Sequence, residues 1–274
     1  MIRANQVPSK NGWGWVRRGI ALFRMQPTLW LAMAFVYLAM AILLGQIPFI
    51  GWLVLVLFTP LFMLGALPVA QALAGAGLPA SAVPVPPAGR DVRAWARYLQ
   101  DLLTRAARRL FQGFSNEDKM LPIMVISTLL LGGVVVVKIL AQLLKVGGAA
   151  LPAMLSGSVG PSVWITALIG LVVVLSLETL LLMAFLYTVP LILFRREHPL
   201  PSIEMSFSGA LSNLGAFMIF IGVFAVTGEI MRILFLLFFF PFDYLAFFIV
   251  GLVALPVFVA GLNASYQDLF TRPK

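Results

Sequence analysis

Residues 25–89 include no charged side chain. A helix needs about 20 apolar residues to cross the hydrocarbon core of a bilayer, so this run has room for two crossings. Over the whole chain, 61% of the residues are hydrophobic and 11% are charged, whereas an ordinary soluble domain has about 25% charged residues. Lipid must therefore be the solvent for much of the surface. The sequence predicts an all-α, polytopic membrane protein.

Apolar stretches predict six transmembrane helices, at about residues 28–46, 51–74, 120–143, 162–187, 216–238 and 244–262. The first stretch is typical of a membrane anchor rather than a cleavable signal peptide, because it is long and a second span follows it. The fourth continues to Phe194 and exceeds one crossing. We expect it to tilt, bend or leave the bilayer near Pro190, which lacks a backbone donor.

The positions of the cations predict the orientation of these spans. Basic residues collect in the N-terminal segment, in the loops after spans two and four, and at the C-terminus. Of the 19 Lys and Arg residues, only Lys138, Lys145 and Arg232 fall elsewhere. Loops rich in Lys and Arg stay on the cytoplasmic side. Both termini are therefore predicted to be cytoplasmic.

An internal repeat is predicted within a single membrane domain, residues 1–274. Each unit consists of an interfacial amphipathic helix followed by a helix pair, and each even-numbered span carries a proline near its end: Pro68, Pro190 and Pro256. Recurrence of one plan at the same architectural position indicates duplication. The predicted units are approximately residues 12–76, 91–197 and 201–270, with a proline-rich linker at 77–90.

The three amphipathic segments begin near Trp13, Asp91 and Ser202. In the first, Trp13 and Trp15 are predicted to be interfacial anchors. In the third, Ser202 is a predicted N-cap. The middle segment has the clearest apolar face, which is typical of a helix lying in the headgroup plane. That face consists of Val92, Trp95, Leu99, Leu102, Leu103, Ala106 and Leu110.

The opposite face of the middle segment is basic, with Arg93, Arg97, Arg105, Arg108 and Arg109. This pattern predicts contact with anionic lipid headgroups, and docking of an acidic cytoplasmic partner is the alternative. The net charge of +9 does not indicate nucleic acid, because the basic residues flank apolar spans. We expect membrane lipids as partners, a membrane protein as a possible further partner, and no nucleic acid.

Charged residues within or near the spans are the best candidates for an intramembrane polar site: Lys138, Glu178, Glu229 and Arg232. Such residues are costly in lipid and usually face a partner or a cavity. Counting along the spans places Lys138 and Arg232 near the outer interface, where long cations can snorkel, and Glu229 at i, i+3 from Arg232.

Glu178 differs from the other three. Counting from the outer end of span four places it well inside the bilayer, with no basic residue within twelve positions on its own helix. Its partner must come from another helix, a polar cavity or a proton. Three interpretations remain open: a structural interhelical pair, a position on an ion or substrate path, and a contact with a partner protein.

Catalytic signatures are missing from the sequence. There is no phosphate-binding loop, dinucleotide fingerprint, HExxH pair or GxSxG elbow. The chain has no cysteine and one histidine, His198. We therefore expect a non-enzyme without cofactor or metal.

The opening sequence GWGWVRRGIALFRMQPTLWL, residues 12–31, is followed by paired spans with a proline near the end of the second. It resembles a proteobacterial family of uncharacterised integral inner-membrane proteins. More loosely, the hydropathy plan is similar to that of the membrane domains accompanying some bacterial glycerophosphodiester phosphodiesterases, whose chemistry resides in a separate soluble domain. The resemblance implies a bacterial cytoplasmic (inner) membrane and supplies no activity or functional residues.

Two functions remain open from the sequence. The first is a non-catalytic membrane accessory or scaffold protein, such as a subunit of a larger complex. The second is a transporter or channel for a small solute, ion or lipid, which Glu178, the kinked even spans and the repeat would suit. Transporter repeats are typically two and often inverted, so three parallel units favour the first.

Overall fold

A computed structural model describes residues 4–48, 50–75, 77–79, 83–115, 117–144, 161–239 and 243–271 of the protein. The side chains of 115, 117, 161–163, 232, 235–239 and 243–247 lie outside that description. Every regular element within these ranges is helical. The α-helices are α1 Asn11–Met25, α2 Pro27–Gly45, α3 Ile50–Ala74, α4 Val92–Phe111, α5 Glu117–Leu143, α6 Pro161–Phe185, α7 Thr188–Arg195, α8 Pro199–Ser212, α9 Leu214–Phe239 and α10 Asp243–Tyr266. A 3₁₀ turn at Gln112–Ser115 follows α4, and a π-helix at Gln267–Thr271 follows α10.

Six helical segments in the described ranges are long and apolar enough to cross a membrane, as the sequence predicts. They are Pro27–Gly45, Ile50–Ala74, Asp118–Leu143, Trp164–Arg195, Leu214–Met231 and Phe248–Thr271. The fourth is the longest, at 32 residues, and includes the break between α6 and α7.

The break in the fourth span lies at Leu186 and Tyr187. Pro190 explains it, because proline lacks the N–H that would bond to the carbonyl four residues earlier, and its ring clashes with that carbonyl. Ser206 of α8 fills the gap. Its Oγ accepts a hydrogen bond from the Tyr187 N–H at 3.1 Å and donates one to the Met183 carbonyl at 2.8 Å. One hydroxyl therefore replaces the missing helical bond between residues 187 and 183.

The buried face of α8 consists of small and polar residues, Ser202, Ser206, Gly209 and Ala210. The prediction that Ser202 is an N-cap is wrong. The helix begins at Pro199, whose fixed φ suits a first turn, and the Ser202 hydroxyl donates to the Pro199 carbonyl at 2.7 Å. Small side chains on this face allow α8 to approach the α6–α7 break closely.

Helix α1 is part of the protein core, packed against α9 and α10. Gly19 lies against the backbone of Val257 and Gly261 in α10, so a side chain at position 19 would collide with main-chain atoms. Trp15 is fully buried in the same interface and stacks edge-on against Phe220. The prediction of Trp15 as an interfacial anchor is therefore wrong, whereas Trp13 is exposed. The buried face of α1 consists of Gly12, Trp15, Val16, Gly19 and Leu22, and its glycines allow the close approach that places α1 in the core.

We expect Ser206→Ala to destabilise the fold by about 1–3 kcal/mol, because it leaves a buried N–H and a buried carbonyl unsatisfied. The measurement is the free energy of unfolding by SDS titration in mixed micelles. The matched control is Ser208→Ala, since Ser208 is exposed on the same helix. Equal stability of the two variants would contradict the bridging role of Ser206.

Candidate functional site

The register between α5 and the fourth span is set by contacts at two levels. Gly133 lies against Leu181 of α6, such that a Cβ at Gly133 would come within 2.6 Å of the leucine Cδ2. Nearer the other end of α5, the Lys119 Nζ donates to the Leu193 carbonyl of α7 at 3.4 Å. Continuing the Gly133–Leu181 pairing along the two antiparallel segments would place Leu193 opposite residue 121, two residues from Lys119. The two contacts therefore agree in register to within two residues, although the helix break lies between them.

This register brings Lys138 and Glu178 to nearly the same level. Counting outward from the Gly133–Leu181 contact places Glu178 opposite residue 136, two residues from Lys138. The offset along the helix axes is about 3 Å. The prediction that Lys138 lies near the outer interface and Glu178 well inside is therefore wrong in its relative depths. Depths counted from the span ends are comparable only if the ends of the two spans lie at the same level. In the structure, the N-terminal part of α6 extends beyond the end of α5.

Lys138 and Glu178 line one cleft of about 510 Å³ between α3, α5 and α6. We call it the Lys–Glu cleft. Lys138 Nζ lies 5.8 Å from the centre of the Trp52 ring of α3, a cation–π contact that positions the ammonium. The remaining lining is largely apolar: Thr59, Pro60, Met63, Ile126, Leu130, Val134, Val137, Leu181, Leu182, Phe185, Leu186, Thr188, Val189 and Phe258.

The two charges of the cleft do not neutralise each other directly. Among the described residues, ion pairs within 4.0 Å join other groups, and neither Lys138 nor Glu178 takes part in one. Both side chains are exposed at the open side of the cleft. An ammonium and a carboxylate at one level can bind a group of each sign.

The cleft has a polar end and an apolar end. Trp52 lies at the start of α3, far from Gln71 near the helix end, whose side chain bonds to Gln267 beside the C-terminus at 2.9 Å. The charged mouth therefore faces away from the chain termini. Toward the middle of the bundle, the cleft shares Thr59, Met63 and Phe258 with a smaller apolar cavity of about 180 Å³.

The other predicted intramembrane pair remains a prediction. Glu229 lies on an exposed stretch of α9. The side chain of Arg232 lies outside the described residues, so the predicted i, i+3 pairing with Glu229 is not tested. Glu229 is not among the residues that line the Lys–Glu cleft.

Helix α4 docks by part of its predicted apolar face. Leu102, Ala106 and Leu110 are buried in a cluster with residues of α2 and α3. Gly65 of α3 permits this, because the backbone of Arg109 and Leu110 lies directly against it. The N-terminal half extends off the protein, and Val92, Trp95 and Leu99 stay exposed. This exposed apolar strip is suited to insertion among lipid headgroups.

The predicted basic face of α4 is mostly solvent-facing. Arg93, Arg97 and Arg108 are exposed. Arg105 pairs with Asp101, four residues earlier, with two nitrogen–oxygen distances of 2.9 Å. Arg109 departs from the prediction: it is half-buried at the flank of the docked face, and burial, more than the neighbouring Arg105, lowers the pKa of its guanidinium.

The Asp101–Arg105 pair depends on pH. The hydrogen bond from Arg105 lowers the pKa of the Asp101 carboxyl below its ordinary value. A carboxyl with a lowered pKa in the folded chain stabilises it above the unfolded pKa, and this contribution is lost as the pH falls through the folded pKa. Because the pair is solvent-exposed and screened, its contribution to stability is small.

A buried carboxylate that sequence reasoning missed joins the two ends of the chain. Asp268 is 4% exposed, accepts a hydrogen bond from Trp15 Nε1 at 2.9 Å and forms a two-point ion pair with Arg18. In the sequence, Asp268 follows the last predicted span and resembles an ordinary tail residue. The available signal was the facing pair of Trp15 and Arg18, one turn apart on α1.

The N-terminal segment is fixed against the same π-helix. Asn5 donates from its backbone to the Leu269 carbonyl at 2.8 Å and from its side chain to the Asp268 carbonyl at 3.2 Å. Asn213, between α8 and α9, accepts from the Val7 N–H at 2.7 Å and donates to the Asn5 carbonyl at 3.0 Å. Residues of both termini thus meet at one end of the bundle. We call this contact set the terminal latch: Asn5, Val7, Trp15, Arg18, Asn213 and Asp268.

Comparisons with known proteins found no matching family model, no similar curated protein and no similar solved structure. The resemblance to a proteobacterial inner-membrane family therefore stays a prediction.

We expect Asp268→Asn to destabilise the fold by about 1–2 kcal/mol, because it removes the charge that binds Arg18 and leaves a buried polar group poorly matched. Partial exposure of Arg18, at 36%, keeps the loss below that of a fully buried pair. Thermal unfolding in detergent at neutral pH measures it. Asp101→Asn is the control, at an exposed pair, and should lower stability much less than Asp268→Asn does. An Asp268→Asn variant with the thermal stability of the wild type would show that the terminal latch does not hold the fold together.

Proposed function

We propose that this protein is a non-catalytic accessory or scaffold protein of a bacterial inner membrane, with multiple spans and both termini in the cytoplasm. It acts by holding a partner protein at the membrane surface, as a subunit of a larger complex. The observation that supports this most directly is the docking of α4, which presents an exposed basic face on a fixed support.

The support for α4 is rigid because backbone packs on backbone. Gly65 brings the end of α4 against the middle of α3, and the buried Leu102, Ala106 and Leu110 fill the groove beside it. A helix held by its C-terminal half keeps the backbone positions of Arg93, Arg97 and Arg108 fixed relative to the spans. Preorganised charges bind an acidic surface with less loss of conformational entropy than mobile ones.

The same helix also suits a lipid surface. Val92 and Leu99 lie exposed on the apolar side of α4, opposite the arginines, which is the arrangement of an interfacial helix. We propose that anionic headgroups occupy part of the basic face and that an acidic cytoplasmic surface of a membrane-protein partner occupies the rest. The positions of the cations along the chain support the cytoplasmic assignment of this end.

Duplication is the proposed origin of the architecture. The order of elements supports it, because α1, α4 and α8 each precede a pair of spans. The three helices now serve different purposes, since α1 lies in the core, α4 is half docked and α8 bridges the helix break. A scaffold tolerates such divergence more readily than a transporter whose repeats must move against each other.

Transport of a small solute, ion or lipid is the second candidate. The Lys–Glu cleft favours it, since two ionisable residues from different helices line one intramembrane space. Against it, only Thr59 and Thr188 carry a hydroxyl among the other lining residues that the structure describes. A solute path through the bilayer is expected to offer more polar groups at its midplane.

We expect the protein, extracted from its own membrane into lipid nanodiscs, to carry a stoichiometric protein partner in native mass spectrometry. A triple variant, Arg93→Gln, Arg97→Gln and Arg108→Gln, should lower the partner occupancy at least tenfold. The reason is that it removes the charges that bind an acidic surface while α4 stays docked.

The control removes three exposed cations elsewhere, with Arg17→Gln, Arg24→Gln and Arg90→Gln. This variant has the same net charge and should keep the partner. Wild-type protein that emerges without any protein partner would contradict the scaffold role. Equal loss in both triple variants would contradict the assignment of the interface to α4.

A further inference from the structure

We propose that the Lys–Glu cleft binds one zwitterionic aminophospholipid. The lipid ammonium lies against Glu178, its phosphate lies against Lys138, and an acyl chain follows the apolar lining toward the middle of the bundle. This site goes beyond the scaffold role and does not depend on it, because its charged mouth lies at the end of the bundle away from the termini and from the basic face of α4.

The charges of the cleft favour a ligand of both signs. An unneutralised carboxylate or ammonium within a span is costly in hydrocarbon. Lys138 and Glu178 lie at nearly the same level, yet they form no ion pair with each other among the described residues. A molecule with an ammonium and a phosphate a short distance apart neutralises both at once. An anionic lipid lacking the ammonium would leave Glu178 facing a second negative charge.

The apolar part of the cleft fits a single acyl chain. Its α3 wall runs from Trp52 to Met63, a length of about 16 Å at 1.5 Å per residue. The smaller cavity beyond Thr59, Met63 and Phe258 is lined almost entirely by apolar groups and continues the space. A free inorganic ion or a small polar solute would leave this surface unused, whereas a chain would bury it at about 25 cal/mol per Å².

The position and opening of the cleft match a lipid in its ordinary orientation. α6 packs against α5 and α8, and α3 packs against α5 and α10, so the space between α3 and α6 opens sideways with α5 as its floor. A phospholipid can enter through this opening without leaving the bilayer. Its headgroup then lies toward the bundle end away from the termini, which is the periplasmic leaflet in the proposed orientation.

The test is native mass spectrometry of the full chain in nanodiscs of equal parts phosphatidylethanolamine and phosphatidylglycerol. The nanodisc lipids are removed stepwise by collisional activation. We expect one phosphatidylethanolamine to remain on the wild type after the other lipids have left. Glu178→Gln should reduce its retention at least tenfold, because the ammonium loses its counter-charge. Glu204→Gln, the same change at an exposed carboxylate outside the cleft, should retain the lipid as the wild type does.

A second variant tests the chain-binding part without altering charge. Val134→Phe fills the cleft and should also release the lipid, while circular dichroism and gel filtration confirm that each variant is folded. Retention of phosphatidylethanolamine by folded Glu178→Gln or Val134→Phe at the wild-type level would overturn the proposal. So would equal retention of phosphatidylglycerol by the wild type, or no retained lipid, since the first indicates annular lipid only and the second an empty cleft.

Discussion

The hydrogen-bonding requirement of a backbone in an apolar surrounding is the constraint on which this structure depends. Within hydrocarbon, each free N–H or carbonyl costs several kcal/mol, so a proline in a span needs a local remedy. Pro190 breaks the fourth span, and the Ser206 hydroxyl bonds to both Tyr187 and Met183 at the break. Because this repair is local, α6 and α7 continue along α5 in one register, from Leu181 to Leu193.

That register gives the two ends of the molecule different chemistry. At the end where the termini meet, the buried carboxylate of Asp268 is hydrogen-bonded to Trp15 and ion-paired with Arg18. The basic face of α4 is exposed on the protein surface. At the opposite end, Lys138 and Glu178 face a cleft without an ion pair between them among the described residues. The end with the termini therefore has the features of a rigid scaffold, and the opposite end has those of a ligand-binding site.

Much of the architecture could be predicted from the sequence, since apolar runs of sufficient length identify spans without tertiary information. The apolar face of α4 was also predictable, because its periodicity is strong over five turns, but its docking on α2 and α3 was not, since Gly65 gives no signal in hydropathy. Trp15 and Ser202 were misassigned, because glycines and serines that allow close helix contact look neutral in hydropathy. The level of Glu178 was missed for a different reason: span lengths give no register between helices. Asp268 was missed because its partners lie 250 residues and more away.

The register between α5 and α6 places Lys138 and Glu178 at one level. Paired cysteines test this register directly in a chain that has no cysteine of its own. We predict that Gly133→Cys with Leu181→Cys forms a disulfide on mild oxidation in membranes, detected as linked peptides by mass spectrometry. Disulfides require Cβ atoms about 3.5–4.5 Å apart, so Gly133→Cys with Val173→Cys should remain unlinked. End-to-end alignment of the spans would instead bring residues 133 and 173 together. A disulfide in the second pair and none in the first would contradict the account.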